Sequence, residues 1–395
     1  MRTFNNIKYI ILFLYCSLSP ITWFSTFSIG IVKRLVLFLI VILFYNCILK
    51  WNKATVIFII CIALVSANIL NHGGSILESN TILGIIENYI FFQIGRSQLV
   101  LNDFKKYHNV IVFLPAITCA LTITNFLIGI PDWHTLTDEV KEAYYAEQNI
   151  SYAYRELWQT GFSWGRNGWG TTLAVLFPMC FLNRSRKSYL FIPQYLILFS
   201  VFITGCRNGL LSICLSSFLF IMYFVRNTNK HNNLLIFAFF TLLFIILFNW
   251  DYFSHALRLD SSDITSNRLA QYLLIPDMLS KTSFWGNGNL WTKEYLSNFG
   301  LPFLLHNTHL RMLIEFGYIP GAIIFGITIK ALSIAKKSLH SRNRECVAIS
   351  TIIFGGLLLT MFEPQVIFAV FGFPLWWLVF GFLSNNNNIK MLSKC

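Results

Sequence analysis

Leu35-Val36-Leu37-Phe38-Leu39-Ile40-Val41-Ile42-Leu43-Phe44-Tyr45-Asn46-Cys47-Ile48-Leu49 runs without a charge between Arg34 and Lys50. A helix through it is apolar on every side, which suits a surround of lipid rather than water. Crossing the hydrocarbon layer takes about 20 such residues, fewer where the ends are anchored. Comparable runs recur at 9–28, 55–70, 82–94, 110–130, 171–182, 189–204, 210–225, 234–250, 314–329, 347–361 and 366–383. The sequence therefore predicts an all-α polytopic membrane protein with about twelve transmembrane helices. The 82–94 segment is the weakest, being short and carrying Glu87.

Composition agrees. Of 395 residues 55% are apolar and 12% charged, about half the charged share of a soluble domain, which excludes a water-soluble globule. A net charge of +13 would point to nucleic acid in a soluble chain. Here the question is which side of a membrane holds it. Alternating sides from a cytoplasmic N-terminus puts nineteen of the 30 basic residues inside with only two of the 17 acids, Asp103 and Glu345. That is the positive-inside bias, with both termini cytoplasmic. Lys33 and Arg34, on a short outer turn, run against it. No nucleic-acid partner is required.

Arg2 and Lys8 precede the first apolar run, but no small-residue cleavage site follows, so the run reads as a retained span. Eight of the nine cysteines lie in or beside apolar stretches, the ninth is Cys395, and no CxxC occurs. That is not a disulfide framework. The chain divides into residues 1–130 with five spans, an outer loop 131–170, spans over 171–250, a larger outer loop 251–305, and 306–395 with the last three spans and a polar tail.

Long loops that carry polar and aromatic residues usually carry function. In the first, 137–148 reads as a short amphipathic helix followed by Tyr152, Tyr154, Trp158, Phe162 and Trp164. These aromatics suit either sugar stacking or an interfacial belt. Three outer arginines stand near span ends, each introduced by Gly, Asn or Ser or by a neighbour of that kind. Arg166 lies in Gly165-Arg166-Asn167-Gly168, Arg207 in Thr204-Gly205-Cys206-Arg207-Asn208-Gly209, and Arg268 after Ser266-Asn267, which reads as a helix cap. Each alone could be an interfacial anchor. Together they suit a diphosphate, since a guanidinium fork matches phosphate oxygens bidentately. His306-Asn307-Thr308-His309-Leu310-Arg311 closes the second loop. His306 can accept a proton from a sugar hydroxyl near neutral pH, and His309 competes for that role. Arg311 and Glu315 are spaced to pair on one helix face. No DxD, HExxH, GxGxxG or P-loop is present, so a donor activated by nucleotide and metal is not supported.

These residues resemble the bacterial O-antigen polymerase and O-antigen ligase superfamily. Its ligases carry His-Asn, nine residues, then Gly, which His306-Asn307 and Gly317 reproduce; a second small residue is shifted by one, to Pro320-Gly321. The 204–209 hinge is similar to the family's Thr-x-Ser-Arg-Gly-Gly turn, with Cys206 and Asn208 as departures. The 266–272 segment, followed by Gly286-Asn287-Gly288, looks like the part of its outer loop that supplies another arginine. The resemblance implies a GT-C-like glycosyltransferase in the bacterial inner membrane, working at the periplasmic face without metal or cofactor. Its donor would be an undecaprenyl-diphosphate-linked oligosaccharide. Its acceptor would be a second lipid-linked repeat unit for a polymerase, or lipid A-core for a ligase, with membrane lipids and a chain-length regulator as further partners. His306, Arg207 and Arg268 would be catalytic; Arg166, Asn307, His309 and Arg311 are the substrate-binding candidates. The 161–169 stretch and the 39 phenylalanines favour the polymerase. A lipid-linked glycan flippase or other transporter is the rival class, although such proteins more often hold polar groups at mid-membrane.

Overall fold

The computed structural model describes residues 2–18, 21, 29–72, 76–128, 166–182, 192–227, 268–301, 305–341, 343–362 and 373–385. Every regular element among them is helical. In order they are α1 (Arg2–Ser17), α2 (Ile29–Ile48), α3 (Lys53–Asn71), α4 (Ile76–Gln98), α5 (Leu101–Ile128), α6 (Arg166–Leu176) with a 3-10 turn Phe177–Leu182, α7 (Ile192–Ile203), α8 (Arg207–Asn227), α9 (Arg268–Lys281), α10 (Gly288–Ser297), α11 (Thr308–Phe316), α12 (Tyr318–Leu339), α13 (Arg344–Phe362) and α14 (Pro374–Leu383).

Among the described residues five helical stretches are long and apolar enough to cross a membrane: Ile31–Ile48, Lys53–Asn71, Leu101–Leu127, Tyr318–Leu339 and Arg344–Phe362. Five shorter apolar helices accompany them. Much apolar surface points outward, as at Leu35, Phe38, Phe113 and Phe325, which in water would be an aggregation hazard and in lipid is ordinary. The expected span 234–250, the helix at 137–148 and the five loop aromatics lie outside the described residues.

Two expectations about spans change. The 82–94 run is the centre of a 23-residue helix, α4; hydropathy underrates it because Glu87, Asn88 and Gln93 are buried polar residues. The run 314–329 is not one helix. It breaks at Gly317, whose φ of 101° favours glycine, and the chain reverses there. Leu313 lies against Gly321, and His309 bonds Thr328 at 2.8 Å, so α11 runs back alongside the first half of α12.

The chain forms two compact units. The first comprises residues 1–43, 100–257 and 344–352. Within it α5 packs on α1 and α7, and α6 on α8. Phe13 of α1 sits between Phe104 and Tyr107, with ring centroids 5.6 and 5.5 Å away.

The second unit comprises 44–99, 258–343 and 353–395. Its centre is α14, every residue of which is buried. α14 crosses α4 with backbones touching: a Cβ on Gly95 would overlap the Leu378 carbonyl, and one on Gly381 the Phe92 carbonyl. Small residues permit that approach where burial of apolar surface gives no preference for helix over lipid. Beside this core α9, α10 and α11 share Ile275, Met278, Leu296, Leu305 and Ile314.

Candidate functional site

In the second unit, α9 begins at Arg268, where the Ser266-Asn267 cap placed a helix start. Its first turn holds the segment before α11. Gln271 Oε1 accepts from the His306 backbone N–H at 3.2 Å. The Tyr272 hydroxyl lies 3.3 Å from the His306 carbonyl and donates to the Met361 carbonyl at 2.6 Å. This clamp fixes the backbone on both sides of the His306 ring and sets the ring beside Arg268. His306 Nδ1 is buried with no hydrogen-bond partner among the described residues. Burial first, then the Arg268 charge, bring its pKa down from 6.5 to about 4. The ring is neutral at physiological pH. A buried ring nitrogen left open in this way is costly to a structural residue and suits a site that awaits a hydrogen-bonding partner.

The other candidates on this side hold structural bonds. Asn307 caps α11: its Oδ1 accepts from His309 N and Leu310 N, each at 3.0 Å, while its Nδ2 reaches the Met361 carbonyl at 3.3 Å. His309 meets Thr328 of α12, and burial lowers its pKa. Arg311 Nε donates to Glu315 Oε2 at 2.8 Å, and that carboxylate is fully buried. Because α11 folds back along α12, His309, near the start of α11, stands beside the middle of α12; the ten residues from Tyr318 to Thr328 span about 15 Å.

Gly317 and the Gly286 turn meet at the far end of α11. The Asn287 N–H donates to the Ile314 carbonyl at 2.9 Å, and Tyr318 N–H to the Phe284 carbonyl at 3.1 Å. Asn68 donates to the Trp285 carbonyl at 2.5 Å, and His72 Nε2 lies 3.2 Å from the Gly286 carbonyl. Asn68 and His72 were not anticipated; His72 ends α3 just before Gly73-Gly74, and that placement was the available signal.

In the first unit, Arg166 and Arg207 are the opening residues of α6 and α8, and the first turns of those helices pack together. A Cβ on Gly209 would lie 2.7 Å from the Gly170 carbonyl, and one on Gly170 would lie 2.7 Å from Cys206 Sγ. Gly205 turns with φ 61°, and Cys206 Sγ points to the Asn167 carbonyl at 3.9 Å. The glycines of both motifs are thus spacing devices for two helix starts that each begin with arginine.

The structure therefore brings the seven candidates together as two sets: Arg166 with Arg207, and Arg268 with His306, Asn307, His309 and Arg311. Among the described residues no three His, Cys, Asp or Glu side chains gather as metal ligands. No protein-family model and no curated protein matches the chain.

Proposed function

We propose that the chain is a membrane glycosyltransferase that joins undecaprenyl-diphosphate-linked repeat units of a surface polysaccharide at the periplasmic face of the bacterial inner membrane. In this reading the chain has twelve spans in a GT-C-like arrangement. The observation that carries the proposal is the neutral His306 ring beside Arg268, with Nδ1 buried and open.

Arg268, beside His306, holds the donor diphosphate; the family resemblance gives Arg207 the same role. The acceptor hydroxyl donates its hydrogen bond to His306 Nδ1. Its oxygen attacks the anomeric carbon, the bond from that carbon to the diphosphate oxygen breaks, and the bonding pair leaves on the diphosphate, where the arginines stabilise it. The hydroxyl proton passes to His306. One displacement inverts the anomeric configuration. A bound diphosphate offsets the Arg268 charge at the ring and so raises the basicity of His306 as the complex forms. The sequence motifs support the same reading, because the Gly286 turn and Gly317 are mated to each other.

Ligase activity toward lipid A-core is the second reading, favoured by the spacing from His306-Asn307 to Gly317. A lipopolysaccharide gel of a deletion strain decides between them. Core bearing a single repeat unit supports the polymerase; bare core with accumulated lipid-linked polymer supports the ligase. An unchanged ladder excludes both. Complementation by His306→Ala or Arg207→Ala to the full chain-length distribution, at matched expression, overturns the site assignment.

A further inference from the structure

The second unit carries another concentration of charge on a different surface. Three cavities, of about 420, 470 and 540 Å³, adjoin where α3 begins and where α4 and α14 end. All three are walled by Arg96, with Lys50, Lys53, Lys330 and Lys337 around them, and among the described residues no aspartate or glutamate lines any of them. Five like charges held round adjoining cavities repel one another, and an anion seated among them removes that cost.

Arg96 is aimed by a network of buried and half-buried groups. Asn52 Oδ1 accepts from Arg96 Nη1 at 3.1 Å while capping α3 through the Ala54 and Thr55 amides at 2.9 and 3.2 Å. Asn52 Nδ2 donates to Gln93 Oε1 at 3.1 Å. Tyr89, on the same face of α4, donates to the Ile48 carbonyl at 2.8 Å, and Asn385 donates to the Arg96 carbonyl at 2.9 Å. A guanidinium offers five donors in a fixed fork, and its bond to Asn52 sets the fork's direction.

This surface is separate from the His306 site. Gly326, Lys330, Ser333 and Lys337 form one stripe of α12 along the cavities, whereas Gly321, Phe325 and Thr328, which meet α11, lie on the opposite face. Leu49 and Trp51 beside the cavities are three-quarters exposed, at 76% and 75%, so apolar surface flanks the cationic one.

We propose that these cavities bind the phosphate of an anionic headgroup, with Arg96 as the fork and Lys53, Lys330 and Lys337 as the surrounding point charges. The two sources of that chemistry are a phospholipid, whose chains would lie along the apolar flank, and free phosphate.

The test uses the full-length protein in neutral detergent. Its melting midpoint is followed while dioctanoyl phosphatidylglycerol, dioctanoyl phosphatidylcholine or inorganic phosphate is added, for the wild type and for a Lys53→Ala/Lys330→Ala/Lys337→Ala variant. These lysines are exposed, so the variant keeps its unliganded midpoint. Saturable stabilisation by phosphatidylglycerol but not phosphatidylcholine, with apparent affinity at least tenfold weaker in the variant, supports a lipid headgroup. The same pattern with inorganic phosphate alone supports a soluble anion. No stabilisation by either anion, or equal stabilisation of wild type and variant, overturns the proposal. If the variant's unliganded midpoint falls, Arg96→Lys, which keeps the charge and loses the fork, replaces it under the same criteria.

Discussion

Gly286 and Gly317 are in backbone contact: a Cβ on Gly286 would lie 2.5 Å from the Gly317 amide nitrogen, and one on Gly317 would lie 2.7 Å from the Phe284 carbonyl. Both have positive φ, 85° and 101°. The turn after α9 and the hinge between α11 and α12 are one joint, held from α3 by Asn68 and His72.

Gly300 supplies the control for that joint. It too has positive φ, 64°, but nothing lies within 4 Å of its would-be Cβ. Gly300→Ala should cost only the conformational penalty, about 1–2 kcal/mol. Gly286→Ala and Gly317→Ala add backbone overlap, and each should lower the melting midpoint of the solubilised protein well beyond Gly300→Ala. Three equal losses would mean that the close approach contributes nothing.

Asn307 has a structural account that competes with substrate contact. As an N-cap, its loss in Asn307→Ala should destabilise by about 1 kcal/mol, whereas Asn307→Asp and Asn307→Ser keep the cap. If capping is the whole of its role, both variants elongate glycan at the wild-type rate. A normal melting midpoint in Asn307→Asp with elongation lost would assign Asn307 to the substrate.

Arg311 faces a carboxylate that is fully out of solvent. Arg311→Ala leaves that charge buried without its ion-pair partner and should cost about 3–5 kcal/mol. Arg311→Ala/Glu315→Gln, which removes the charge as well, should recover most of the loss. A double variant as unstable as the single one would show that the pair is not the source of the effect, and would favour a ligand-facing role for Arg311.

Local signals in the sequence found the start of α9, because Ser266-Asn267 precedes it, and found most apolar helices, because their neighbours in space are apolar too. The break at Gly317 was missed although Gly317 and Pro320-Gly321 signal it locally, because most of 314–329 is apolar apart from Glu315; the distant Gly286 turn packed against Gly317 completes the reversal. Local signals also underread α4, whose Gln93 is satisfied by Asn52 and Thr55 from another element. At the candidate site the residue types were legible, but the part each plays was not. The spacing of His306-Asn307 looks the same whether Asn307 touches substrate or caps a helix. Likewise the i, i+4 spacing of Arg311 and Glu315 says nothing of how deeply the carboxylate is buried.

His306 gives the sharpest pH prediction. Its folded pKa of about 4, against 6.5 in the unfolded chain, means that between those values the unfolded state binds the additional proton. Stability is therefore highest above pH 6.5 and declines as pH falls toward 4, by up to about 3 kcal/mol, with no further loss from this group below that. His306→Gln should flatten that part of the stability profile. Arg268→Gln removes the second cause of the depression, so the folded pKa rises and the sloping window narrows from its acid side. In kcat/KM the same ring sets an acidic limb near pH 4 for the free protein. Chemical denaturation of solubilised protein at several pH values measures the first effect, and glycan elongation on a synthetic lipid diphosphate measures the second. An acidic limb at 6.5, or a stability slope that survives His306→Gln unchanged, would remove His306 from the proposed mechanism.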